Sequence, residues 1–326
     1  MKIKKPVFII GCPRSGTTLL FTILKSSNQF WASHSEAHFV WEKFVPDQRD
    51  PMYAVYMTEE DYAPEDEEYL NNKYSERVYQ HDTLGNVSQY AFYSKFRKIT
   101  NPLYVAWRTF LRLTRKMVPG AYKVLDKTPP NTYRVRYLAK AFPDAKFIYI
   151  TRHAATNISS LIEGWKSTGR FNFKFREFYP ENKEMDIKGY DGNVWKFTHA
   201  PGWKEYLKKP LEEICAFQWQ SAHKYSLEAF EMMDDSRVMQ IKYEDLIANP
   251  PELIQKICNF ADVEYDAAIR KNCEELPVVS TNSKPDPKKW LKNRDLILSI
   301  ANDVNEMNEK LGYEKIEAVE AQTIAS

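Results

Sequence analysis

Residues 6–20 read Pro-Val-Phe-Ile-Ile-Gly-Cys-Pro-Arg-Ser-Gly-Thr-Thr-Leu-Leu. The apolar, partly β-branched run Val7–Ile10 predicts a buried strand, and Leu19, Leu20, Ile23 and Leu24 space out as one face of a helix. Between them stands Gly11-x-x-x-x-Gly16. A glycine loop between a strand and a helix lets backbone N–H groups and the helix terminus approach phosphate oxygens. Ser15, Thr17 and Thr18 add hydroxyl donors and Arg14 adds a cation. The lysine that reaches the outer phosphates of a nucleoside triphosphate is missing, since Thr17 holds its place. The loop therefore predicts an anion site, but not one for a triphosphate with magnesium.

Further along, strands and helices alternate. Short strands are expected at Tyr122–Leu125, Lys146–Ile150 and Arg237–Ile241. Helices are expected near 132–141, 154–166, 206–233 and 250–261, the last announced by Asn249-Pro250. That rhythm predicts an α/β fold, a three-layer sandwich with a central parallel sheet and a P-loop-like strand–loop–helix. Ligands of such sheets gather beyond the carboxyl ends of the strands. The glycine loop, Asp126-Lys127, Arg152 and Tyr243-Glu244-Asp245 all fall there. The acidic run 58–68 is expected to be a solvated loop, and 86–118 a helical region with an aromatic stripe.

The chain has 326 residues, and 46 Lys and Arg against 44 Asp and Glu leave a formal charge of +2. No strongly basic balance points to a nucleic acid. No apolar run approaches the roughly 18 residues of a membrane span, and the first residues lack a signal-peptide core. The four cysteines, Cys12, Cys215, Cys258 and Cys273, lack metal-ligand spacing and suit reduced thiols in a cytoplasmic protein.

Four segments together resemble the nucleotide-binding signature of sulfotransferases that use 3′-phosphoadenosine 5′-phosphosulfate (PAPS). They are Pro13–Thr18, the strand-ending Arg152 with Ser160 eight residues on, Tyr243-Glu-Asp-Leu246, and Asp126-Lys-Thr-Pro129. The resemblance implies PAPS as co-substrate, no metal, and a hydroxyl-bearing acceptor such as a carbohydrate, lipid or small molecule. It assigns the phosphosulfate to Arg14, Ser15, Gly16, Thr17 and Thr18, the 3′-phosphate to Arg152 and Ser160, and the adenine side to Tyr243. Arg14 and Lys127 would stabilise charge on the departing oxygen.

Position 129 is Pro, where many cytosolic members carry a histidine base. The base is instead expected in Ser33-His-Ser-Glu-Ala-His38, with Glu36 chosen and His34 and His38 as rivals. Leu19 stands where soluble members often carry Trp, and no late Arg-Lys-Gly element is visible. Thr281–Trp290, basic and proline-bearing, either closes over the nucleotide in its stead or forms a surface loop.

One domain spanning 1–326 is expected, with 45–120 a helical insertion on the acceptor side and 313–326 a flexible tail. Acceptor walls would come from 30–120 and 165–205, with Trp41, Tyr93, Trp107, Trp165, Trp195 and Trp203 among their aromatics. Two other readings stay open. One is a P-loop kinase or nucleotide hydrolase with Asp245 on a metal, and the other a nucleotide-binding protein without turnover.

Overall fold

The computed structural model describes residues 2–33, 35–44, 56–78, 121–167, 184–279 and 287–317. Strands β2 (Val7–Ile10), β3 (Trp31–Ala32), β5 (Val124–Asp126), β6 (Lys146–Thr151) and β7 (Val238–Lys242) form one sheet in the order β3-β5-β2-β6-β7. Every pairing in it is parallel. A second, two-stranded parallel sheet joins β1 (Lys2–Ile3) to β4 (Ala121–Tyr122).

Alternation along the central strands divides the core into two faces. Phe8 and Ile10 of β2 join Phe147 and Tyr149 of β6 on one side. Val7 and Ile9 join Ile148 and Ile150 on the other. The second face is covered by α1 (Thr17–Leu24), α6 (Tyr243–Ala248), α7 (Pro250–Phe260) and α8 (Ala267–Glu274). Against the first lie α2 (Glu65–Arg77), α3 (Val135–Ala141), α4 (Ala154–Lys166), α5 (Leu211–Phe230), α9 (Arg294–Ser299) and α10 (Ala301–Lys310). This is the three-layer α/β architecture read from the alternation of segments.

Chain progression reverses at β2, because β5 flanks it on one side and β6 on the other. The crevice at such a reversal is where parallel sheets hold ligands. Two features shape the loop there. A Cβ on Gly11 would lie 2.5 Å from the Ile150 carbonyl oxygen, so only glycine lets β2 and β6 remain this close. Gly16 has φ of 100°, in the left-handed region, where it turns the chain into α1.

Three expectations need correction. The acidic run is not a solvated loop: Glu59–Asp61 is a 3-10 turn with a Thr58 capping box, and Glu65–Glu68 form the first turn of α2. Carboxylates there complement the helix dipole. Asp66 is buried, accepting from Tyr137 Oη at 2.9 Å and Lys43 Nζ at 2.6 Å. The tail does not begin at 313, since Tyr313 Oη donates to Glu244 Oε2 at 3.0 Å and meets Thr151 Oγ1 at 3.1 Å. Tyr122–Leu125 is two strands, broken at Lys123 and ending at Asp126. The aromatic stretch 86–118 lies outside the described residues.

Gly11→Ala is expected to lower stability by about 1–3 kcal/mol, since the backbone oxygen facing the new methyl has little room to move. Urea denaturation measures it, and an unchanged midpoint would contradict the close β2–β6 approach.

Candidate active site

At the end of β2 the chain curls back, with Ser15 N donating to Cys12 O at 3.1 Å. Arg14 is held at φ of 71°, a strained conformation for a side chain with a Cβ. Neighbouring elements brace the loop through its own carbonyls. Asn157 Nδ2 donates to Pro13 O at 2.9 Å, Thr132 Oγ1 to Gly11 O at 3.3 Å, and Arg152 Nη1 to Arg14 O at 3.0 Å. No side chain caps the N-terminus of α1, and the fully buried Ser15 hydroxyl has no partner among the described residues.

The start of α4 is the opposite case. His153 Nδ1 accepts from Ala155 N at 3.2 Å and Asn308 Oδ1 from Ala154 N at 3.0 Å. One helix terminus is filled by the protein and the other is open to an anion.

Arg152 follows β6 and is steered by three neighbours. Its Nε donates to Thr156 Oγ1 at 3.0 Å, its Nη1 reaches Arg14 O, and its guanidinium lies 4.6 Å from the Tyr243 ring centroid. Tyr243 also leans over the loop, for a Cβ on Gly16 would fall 2.3 Å from its ring. Arg14 Nε donates to Ser160 Oγ at 3.2 Å, so Ser160 touches Arg14, and the two expected phosphate subsites are contiguous. Neither guanidinium enters an ion pair among the described residues. Burial pushes both below the ordinary guanidinium value, and Arg152 pushes Arg14 further. Thr17 is buried and Thr18 half-buried in the first turn of α1.

A second cluster sits beyond β5 and β3. Lys127 Nζ donates to Glu36 Oε1 at 2.7 Å, and Glu36 Oε2 lies 2.9 Å from His38 Nε2. Burial raises the Glu36 carboxyl, but the Lys127 charge and the His38 contact outweigh it and hold it well below the usual carboxylate range. Lys127 is thus aimed at Glu36 here. His34 lies outside the described residues.

Several sequence expectations land elsewhere. Trp41, Trp165 and Trp195 are core: the Arg134 guanidinium sits 4.2 Å from the Trp41 ring centroid, and Trp165 Nε1 donates to Gln218 Oε1 at 3.0 Å. Trp203 is half-buried against Trp195, while Tyr93 and Trp107 are outside the described residues. Asp245 is exposed on α6. Of Thr281–Trp290, only 287–290 is described. It belongs to a 3-10 turn, Pro287–Asn293, whose Asn293 Nδ2 donates to Ser159 Oγ at 3.0 Å and to Glu163 Oε1 at 3.1 Å. All four cysteines are buried and free, and burial pushes the Cys12 thiol far up, so it is inert.

Sequence reasoning missed the braces Asn157, Thr156 and Thr132. Polar residues near a helix start carry no signal of their target until the loop is placed beside them.

Residues 6–187 and 192–267 match the sulfotransferase family. The chain belongs to that family. It is 21% identical over 159 residues to a protein-tyrosine sulfotransferase of Drosophila melanogaster, a match covering 49% of this chain and 25% of that protein. It is 22% identical over 280 residues to an omega-hydroxy-beta-dihydromenaquinone-9 sulfotransferase of Mycobacterium bovis, covering 77% of this chain and 61% of that one. The matches therefore span a quarter to three-fifths of these relatives' lengths. Among solved structures, the sulfotransferase domain of the Synechococcus olefin synthase aligns at a TM-score of 0.47 and 18% identity, over 97% of this chain and 98% of that one. No helix among the described residues is long and apolar enough to cross a membrane.

The depressed Glu36 carboxyl makes a stability prediction. Its folded value lies below the unfolded one (about 4.3), so its stabilisation is complete above that value and is lost as pH falls toward the folded one. Glu36→Gln should cost about 1–3 kcal/mol near neutrality by leaving Lys127 unpaired. The gap to the unsubstituted protein should narrow steadily below about pH 4. Denaturation curves at a series of pH values measure it; a constant gap would contradict the pairing.

Proposed function

We propose that this protein transfers the sulfuryl group of PAPS to a hydroxyl of a carbohydrate, lipid or small-molecule acceptor. One observation carries the reading: two guanidiniums with no carboxylate in an ion pair among the described residues, Arg14 and Arg152, stand side by side at a helix terminus without a side-chain cap and a glycine loop that lacks the triphosphate lysine. A nucleotide with phosphates at both its 3′ and 5′ positions matches two adjacent cationic subsites. The Ser15 hydroxyl, without a partner among the described residues, supplies a further donor toward the 5′ side.

In this reading Arg14, Ser15, Gly16, Thr17 and Thr18 hold the phosphosulfate, Arg152 and Ser160 the 3′-phosphate, and the Tyr243 ring flanks both. The acceptor oxygen attacks sulfur in line, the sulfur–oxygen bond to the 5′-phosphate breaks, and adenosine 3′,5′-bisphosphate leaves with that bond's electron pair. The acceptor proton passes to Glu36. Positioning and charge stabilisation dominate such a transfer. Lys127 links the two halves of the chemistry. While it pairs with Glu36 it holds the carboxylate ionised but weakly basic; as it turns to the departing oxygen, Glu36 gains proton affinity when the acceptor proton must leave. The reading assigns no metal and no nucleic acid. It treats the chain as one catalytic domain, in the cytoplasm.

A hydroxyl acceptor agrees with the name of the mycobacterial relative, which is a sulfotransferase of an omega-hydroxy-beta-dihydromenaquinone. Arg152→Ala should weaken binding of adenosine 3′,5′-bisphosphate about 10–100-fold, the value of a charge-assisted phosphate contact, while AMP affinity moves far less. Calorimetry with both ligands checks it; equal losses would remove Arg152 from the 3′-phosphate. Glu36→Gln should lower turnover of labelled PAPS with a competent acceptor by about 10²–10⁴-fold. Retained turnover would transfer the base role to another group.

A further inference from the structure

Lys127 and Glu36 come from different strand ends, and the distance between those ends is set by something other than their own ion pair. We infer that Thr128 and Asp126 form a buried strut that fixes it, and that Thr128 is a positioning residue for the proposed transfer. The inference rests on the assignment of Lys127 and Glu36 above.

The strut can be followed bond by bond. The Ala37 backbone N–H, next to Glu36, donates to Thr128 Oγ1 at 2.7 Å. The Thr128 hydroxyl donates in turn to Asp126 Oδ1 at 2.7 Å. Asp126 Oδ2 is held from two further sides, by Tyr74 Oη at 2.8 Å and Asn131 Nδ2 at 3.0 Å. Ala37, Thr128, Asp126, Tyr74 and Asn131 are all buried. Water is excluded from the chain of bonds, and each link is strengthened by the low dielectric around it.

The residue types follow from this accounting. Position 128 must accept from a backbone N–H and donate to a carboxylate at once, which a hydroxyl does and a methyl does not. Its extended backbone, φ −116° and ψ 112°, suits a β-branched side chain. In extended chain, residues two apart share a side, so Asp126 and Thr128 meet while Lys127 is left to the opposite side. Asp126 closes β5, and its carboxylate, opposed by three donors, anchors the strut to the sheet and through Tyr74 to α2. The strut is therefore tied to the sheet at one end and to the segment of Glu36 at the other. It sets the Lys127–Glu36 separation from behind, without touching either side-chain charge.

Thr128→Val preserves shape and branching and removes both bonds; Thr128→Ser restores the hydroxyl. In Thr128→Val the Ala37 amide should lose protection from hydrogen exchange, and kcat with PAPS should fall about 10–100-fold, the cost of a misplaced catalytic group. Affinity for adenosine 3′,5′-bisphosphate should stay within about 2-fold, because the phosphate subsites are braced by other residues. Thr128→Ser should recover both exchange protection and most of kcat.

An unchanged Ala37 exchange rate, a kcat within about 2-fold of the unsubstituted protein, or a loss of bisphosphate affinity equal to the loss of kcat would each overturn the positioning role. If the unsubstituted protein turns over no PAPS, the proposed function fails. The exchange measurement still decides in that case: loss of Ala37 protection in Thr128→Val sustains the strut, and its retention removes it.

Discussion

Two like charges at close quarters govern this structure. Arg14 and Arg152 repel one another, both are partly withdrawn from water, and no carboxylate among the described residues pairs with either. Keeping such a pair together takes dedicated bracing. The Arg152 side chain is pinned by Thr156, the Tyr243 ring and the Arg14 carbonyl, and Arg14 itself is held in a left-handed backbone conformation. A fold bears that cost where the site is arranged for an anion, since the anion repays it on binding.

The bracing comes from each layer of the sandwich. Below the loop, β2 and β6 approach so closely that Gly11 admits no side chain. From α4, Asn157 and Thr156 reach back to the loop and to Arg152. From the far end of the chain, Tyr313 and Asn308 fasten Glu244, Thr151 and the first turn of α4. Asn308 and Tyr313 are thus part of what holds the strand end carrying Arg152.

How much of this could be read beforehand varied with the range of the interaction. Strand, glycine loop and helix were legible because their signals are local: Val7–Ile10 is continuous and apolar, and the glycine spacing is contiguous in the chain. The helix expected near 154–166 is found at Ala154–Lys166, and its signal is local too, one amphipathic run. The acidic stretch misled, because carboxylates look alike whether they face water or an α-helix N-terminus. The contact of Lys127 with Glu36, and the Asp126–Thr128–Ala37 strut, join residues 91 apart in sequence, beyond the reach of any local pattern. Aromatics expected along an acceptor wall were drawn into the core, where an indole buries more apolar surface than at a rim.

The pairing of two guanidiniums with a nucleotide carrying phosphates at both ends is the claim on which the functional account stands. Calorimetric titration of the protein with adenosine 3′,5′-bisphosphate, with and without magnesium and with ATP as competitor, tests it most directly. The account predicts tight binding that magnesium leaves unchanged and ATP displaces poorly. Preference for ATP with magnesium would contradict it.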